Sequence, residues 1–154
     1  MSRAFFVDVA DALAGFLPPP LRSFSSSITS ANLKVWYGEA LREHYEVQFL
    51  SPRVVPGADG PLLEIGFHAE HRDPADSLRA VETLVERERD WRRVLGPRPE
   101  AGPFVGVDRW ARLSELWTTQ EMAGREVSVD AAERLAAYVT ALEPLRRSRA
   151  VSAP

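Results

Sequence analysis

Two extended runs constrain this chain more than any other feature. In the first, Tyr45, Val47 and Phe49 alternate with His44, Glu46 and Gln48. In the second, from about Leu62 to His71, the apolar residues Leu63, Ile65, Phe67 and Ala69 alternate with Glu64, His68 and Glu70 around Gly66. An apolar row of period two is the signature of a strand with one face buried. Between the runs, Pro56-Gly57-Ala58-Asp59-Gly60-Pro61 is turn-forming. The two runs are therefore expected to form an antiparallel hairpin. Facing residues in such a ladder project to the same side, so pairing without a bulge brings His44, Glu46 and Gln48 onto one face with Glu64, His68 and Glu70. His71 falls on the opposite side, at the frayed end.

The chain has three histidines, and all lie in this hairpin. The plain reading of the face is a solvated one, because an antiparallel sheet with one buried side presents its other side to water. A sharper reading is a metal or acid–base site. His44 and His68 would be ligands of a divalent transition metal such as zinc, manganese or iron, and Glu64 or Glu70 the carboxylate ligand. Glu46 would act as general base toward metal-bound water. A third reading is a polar recognition surface. The spacing matches no family signature. An acidic-hairpin nuclease is disfavoured: Asp59 precedes Glu64, but Gly66 stands where such enzymes carry lysine.

Ahead of the hairpin, Phe5, Phe6, Val9, Leu13, Phe16 and Leu17 recur at three- and four-residue steps and predict an amphipathic helix, with Asp8 and Asp11 opposite, stopped by Pro18-Pro19-Pro20. This stripe must dock somewhere, either on its own body, on another copy or on a different protein; its acidic polar face argues against membrane insertion. The serine run Ser25–Ser27 reads as a connector with a short edge strand. Leu33, Val35 and Tyr37, alternating with Lys34 and Trp36, predict another strand.

Past the hairpin, Asp73-Pro74 with Asp76 is a helix start. Leu78, Val81, Leu84, Val85, Trp91 and Leu95 carry one inner stripe to Gly96-Pro97, which predicts a single helix. Its outer face, from Glu86 to Arg93, mixes both signs and reads as solvated. For 107–119 both strand and helix fit, with strand preferred. Asp130 and Glu133 resemble a capping box opening a last helix lined by Leu135, Tyr138, Val139 and Leu142 and ending near Pro144. Arg146, Arg147 and Arg149 then complement its C-terminus.

Composition narrows the function classes. At 154 residues, with 45% hydrophobic and 27% charged residues, the chain fits one folding domain with its own core. Its 19 basic residues lie among 22 acidic ones, which disfavours nucleic acid as a partner. Lys34 is the only lysine, so lysine-based catalysis has no other candidate, and the absence of cysteine removes thiolate chemistry, disulfides and iron–sulfur clusters. Ala4–Leu17 is interrupted by acids and too short to span a bilayer, so neither a signal peptide nor a membrane segment is expected. No Gly-x-Ser-x-Gly elbow or glycine-rich phosphate loop occurs.

The expected architecture is α+β: a small antiparallel sheet of three to five strands with two helices on one face and an N-terminal helical arm. Residues 1–20 form the arm, 21–147 the domain and 148–154 a disordered tail. The expected function is a small cytoplasmic interaction or accessory domain without catalytic activity or cofactor. It would bind a protein partner or self-associate through Phe5, Phe6, Val9, Leu13, Phe16 and Leu17, with neither nucleic acid nor membrane as a partner. The alternative is a metal-dependent hydrolase-type enzyme using His44, Glu46, Glu64, His68 and Glu70, with a divalent transition metal as cofactor. Trp36, Trp110 and Trp117 are expected in the core or as interface anchors, and a ligand pocket near Trp36, Tyr37 or Trp91 is a weaker possibility resting on aromatic content.

Overall fold

A computed structural model describes residues 2–39, 41–104 and 106–152, with the side chains of 149–152 left aside. The chain runs α1 (Arg3–Phe16), a 3-10 turn (Pro19–Leu21), β1 (Ser25–Ile28), β2 (Asn32–Trp36), β3 (Glu43–Leu50), β4 (Leu62–Ala69), α2 (Pro74–Val85), α3 (Glu88–Leu95), β5 (Glu100–Phe104), β6 (Val107–Trp117), α4 (Thr119–Met122) and α5 (Val127–Ser152). The class is α+β. The sheet is larger than expected, with six antiparallel strands in the order β1-β2-β3-β4-β6-β5 among the described residues. The segment 107–119 supplies the long β6 that seals β4 on its far side, as the strand reading required.

The hairpin forms in the expected parity. Tyr45 pairs with Phe67, Val47 with Ile65 and Phe49 with Leu63. Leu33, Val35, Tyr45, Val47, Leu63, Ile65, Phe67 and Leu113 turn one way into the main core, under α1, α2 and α5.

Among the described residues there are five helices, not three, because the stretch 74–95 is two and Thr119–Met122 forms a short helix of its own. Asp73 caps α2 by accepting from the Ala75 amide, as read. The helix then breaks at Arg87, whose φ of −108° and ψ of 24° leave the helical region. The break turns Trp91 inward, where its indole N–H donates to the Leu84 carbonyl at 2.8 Å and satisfies a helix-end acceptor. Leu78 and Val85, read as inner positions, are exposed instead.

The last helix also departs from expectation. It starts at Val127, not Asp130, and passes through Pro144 to Ser152. Glu143 pairs with Arg146 and Arg147, and Arg146 reaches Glu43, so ion pairs fasten the turn that proline weakens. The expected tail is thus helical to Ser152; residues 153 and 154 lie outside the described residues. The capping box is at Thr118 and Glu121, on α4.

The N-terminal arm packs on its own body. Phe6, Val9, Leu13 and Leu17 are buried in the main core, Phe5 rests on Phe6 and Phe49, and only Phe16 of the predicted docking row is exposed. Among the described residues no helix is long and apolar enough to cross a membrane.

Candidate metal centre

The face opposite the helices carries the polar half of every strand. Its rungs can be read across the sheet: His44, His68 and Arg112 in one; Lys34, Glu46, Gly66 and Ser114 in the next; Asn32, Gln48, Glu64 and Leu116 in the third. His44, Glu46, Glu64, His68, Gln48 and Glu70 therefore share one side, as the parity argument predicts, and His71 lies elsewhere, its Nε2 2.8 Å from Glu43.

The solvated-face reading is overturned. His44, Glu46, Glu64 and His68 are each no more than 2% exposed. The cover is a second apolar cluster, in which Leu50, Leu62 and Phe104 pack with Val55, Ala58, Val107, Trp110 and Leu116. The loop between β3 and β4 and the tip of the β5–β6 hairpin thus fold over the polar side, and the Phe104 ring lies edge-on to His68 at 5.0 Å. Burying carboxylates and imidazoles is costly unless each is paired or bound to an ion.

Gly66 makes the cluster possible. It sits between Glu64 and His68 on the same face, and a Cβ there would lie 2.5 Å from the Leu113 carbonyl oxygen and the Ser114 Cα. Glu64 and His68 are about 13 Å apart along the strand backbone. With no side chain between them their tips meet, His68 Nε2 lying 2.9 Å from Glu64 Oε1. Glu64 is held in place by Gln48 Nε2 and Ser114 Oγ, each donating at 2.7 Å. A glycine inside an otherwise regular strand is the sequence signal for this close approach.

Four of the predicted residues converge. His44, Glu46, His68 and Glu70 each offer a ligand atom, and these atoms all lie within 4.8 Å of one another. His44 Nδ1 is 2.7 Å from the Leu41 carbonyl oxygen, which can only accept, so this nitrogen carries a proton and Nε2 is the one turned to the cluster. His44 Nε2 lies 2.8 Å from Glu46 Oε1 and 3.5 Å from Glu70 Oε2, while His68 Nδ1 lies 3.6 Å from Glu46 Oε1. Glu64, also weighed as a ligand, stands behind His68 on its Nε2 side. The Nε2 contact to Glu64 is close but makes no aligned hydrogen bond. Backbone carbonyl behind one imidazole and carboxylate behind the other is the support that metal-ligating histidines ordinarily have.

The electrostatics follow. Burial opposes charge on His68, but the carboxylates of Glu64 and Glu46 outweigh it and raise its pKa from 6.5 to about 9. Burial likewise opposes charge on Glu64, yet His68, Gln48 and Ser114 hold it down at about 2. Glu46 is lowered too, against burial, by His68, His44 and Lys34. Lys34 Nζ reaches Glu70 at 3.4 Å and Glu46 at 3.9 Å.

A cleft of about 550 Å³ opens beside the cluster, lined by Lys34, Glu46 and Glu70 and by the apolar Val54, Phe104 and Trp110. Of the residues proposed for an aromatic pocket, Trp91 is buried in the core and Tyr37 donates its hydroxyl to the Leu21 carbonyl, while Trp36 shares the face of Lys34 but is not among the residues that line this cleft.

Sequence reasoning missed two further buried carboxylates on the helix side, Glu115 and Glu143. Glu115 accepts from Trp117 Nε1, Tyr138 Oη and Arg134 Nε at 2.8–2.9 Å and ties β6 to α5. Every acceptor there is matched by a donor on the protein, which marks it as structural. The chain matches no family model, and no curated protein and no solved structure matches it.

Proposed function

We propose that this protein binds one divalent transition-metal ion on the covered face of its sheet, through His44, His68, Glu46 and Glu70, and that the bound ion serves hydrolytic chemistry in the adjoining cleft. The observation that carries the reading is the convergence of four nitrogen and oxygen donors within 4.8 Å, buried beneath an apolar cap. Ligands about 2.0–2.2 Å from a zinc-like ion stand roughly 3–4 Å from each other, so closing onto an ion needs shifts of under about an ångström. Imidazole and carboxylate together suit zinc, iron or manganese.

The metal, when bound, would polarise a substrate oxygen or lower the pKa of a coordinated water. The chain's own residues do the rest. Leu41 and Glu64 orient the imidazoles, and Gln48 and Ser114 orient Glu64. Glu46 and Glu70 reach the cleft and would carry negative charge to the ion and supply a carboxylate base there. Phe104 and the β3–β4 loop keep bulk water off the histidines.

The test is elemental analysis of protein purified without an affinity tag, joined to melting in the presence of zinc, manganese or iron(II). One equivalent of metal per chain and a raised melting temperature are expected, with both lost in His44→Ala and His68→Ala. Protein that carries no stoichiometric metal and melts unchanged with all three ions would overturn the assignment.

A further inference from the structure

The cleft beside the cluster has a charge and a shape that name a class of ligand. Lys34, the only lysine of the chain, lies on the same rung as Glu46 and lines the cleft with it. Its ammonium pairs with Glu70 and Glu46, the two carboxylates that also belong to the donor group. An ion entering that group takes over those carboxylates and leaves Lys34, which is a quarter exposed, facing the cleft as a cation next to the metal. Arg53 lines the same cleft. With the imidazoles neutral as ligands, the positive charges of Lys34, Arg53 and a divalent ion exceed the negative charges of Glu46 and Glu70, so the loaded cleft attracts an anion. Val54, Phe104 and Trp110 give the cleft an apolar part, with the two rings 6.4 Å apart and edge to face. The volume of about 550 Å³ lies in the range of small-molecule sites.

We infer that the cleft takes a small monocarboxylate with an apolar or aromatic body, its carboxylate set between the metal and Lys34 and its body laid on Phe104 and Trp110. This rests on the metal reading above. The positive cleft attracts an anion, and a wall that is hydrocarbon apart from the Trp110 indole N–H suits a ligand with an apolar body better than inorganic phosphate.

The experiment is calorimetric titration of the zinc-loaded full chain with 3-phenylpropanoate, with the neutral 3-phenylpropanamide and with inorganic phosphate. The carboxylate is expected to bind about tenfold or more tighter than the amide, and phosphate not to compete with it. Lys34→Met should weaken the carboxylate by about tenfold, leave the amide unchanged and keep one zinc per chain. Trp110→Ala should weaken carboxylate and amide alike. The carboxylate-to-amide comparison on the unaltered protein decides the matter even where a variant folds poorly. One equivalent of zinc with no preference for carboxylate over amide, or with phosphate displacing the carboxylate, overturns this inference and leaves the metal site standing. No zinc, but carboxylate binding that depends on Lys34, overturns the metal site and the bridged pose while keeping the ligand class. Neither zinc nor carboxylate bound overturns both.

Discussion

His44 and His68 occupy one rung of the β3–β4 ladder, with ring centroids 5.6 Å apart and planes tilted by 44°. Directly opposed residues in an antiparallel pair are the closest neighbours a sheet provides, so two imidazoles on one rung can reach a common point without any loop to position them. The Leu41 carbonyl backs His44 on its far side, and the Glu64 carboxylate lies 2.9 Å behind His68. The site is thereby built into the hairpin itself.

Metal affinity should climb with pH. Binding must displace the proton that His68 holds up to about pH 9. Zinc Kd, measured by chelator competition from about pH 6 to pH 9, should fall by about one log unit per pH unit for each proton displaced. A Kd flat across that range would show that the imidazoles are not ligands.

Without metal, the same groups set the pH range of stability. His68 is raised from 6.5 to about 9, so its contribution is complete below pH 6.5 and lost as pH rises through 9. Glu64 is lowered from 4.5 to about 2, so its contribution is complete above pH 4.5 and lost as pH falls through 2. Urea unfolding in EDTA should give a plateau between pH 4.5 and 6.5 with declines on both sides. The declines should be on the order of 2–3 kcal/mol, with the alkaline one reduced in Glu64→Gln. An alkaline decline unchanged by that substitution would refute the coupling.

Gly66→Ala should cost about 2–4 kcal/mol, because the new methyl meets backbone atoms of β6 at 2.5 Å and β4 and β6 must part. Chemical denaturation measures it. A change within about 0.5 kcal/mol would mean the strands yield freely.

Glu115→Leu should destabilise by about 3–5 kcal/mol, since it leaves Arg134, Tyr138 and Trp117 without the carboxylate they share. Zinc stoichiometry should be unaffected, because Glu115 projects to the opposite face of the sheet from the cluster. Loss of zinc binding in a variant that still melts cooperatively would contradict this separation.

Leu13→Ala should cost about 2–5 kcal/mol, as expected for a leucine with no exposed surface. Light scattering should show a monomer, since the apolar row of α1 is covered by its own body. A dimer whose formation depends on Leu13 would instead support exchange of α1 between copies, the only way this row could serve an interaction role.

Much of the fold was legible along the chain. Period two in 44–49 and 63–69 is imposed by the pleat of the backbone, and it sufficed to pair the hairpin and to assemble His44, Glu46, Glu64, His68 and Glu70 on one side. The proline run after Leu17 and the Asp73-Pro74 start were equally local and equally readable. The break at Arg87 and the passage of α5 through Pro144 were not, because distant partners decide both: the core that receives Trp91, and Glu43, to which Arg146 is fastened.

Alternation alone determined which residues share a face, since it depends only on neighbours in sequence. Whether that face meets water was decided by the β3–β4 loop and the β5–β6 tip, brought from tens of residues away by contacts such as Phe104 on His68. Local periodicity carries no information about such long-range cover. The cover is what changes a row of surface imidazoles and acids into a buried donor set able to hold an ion.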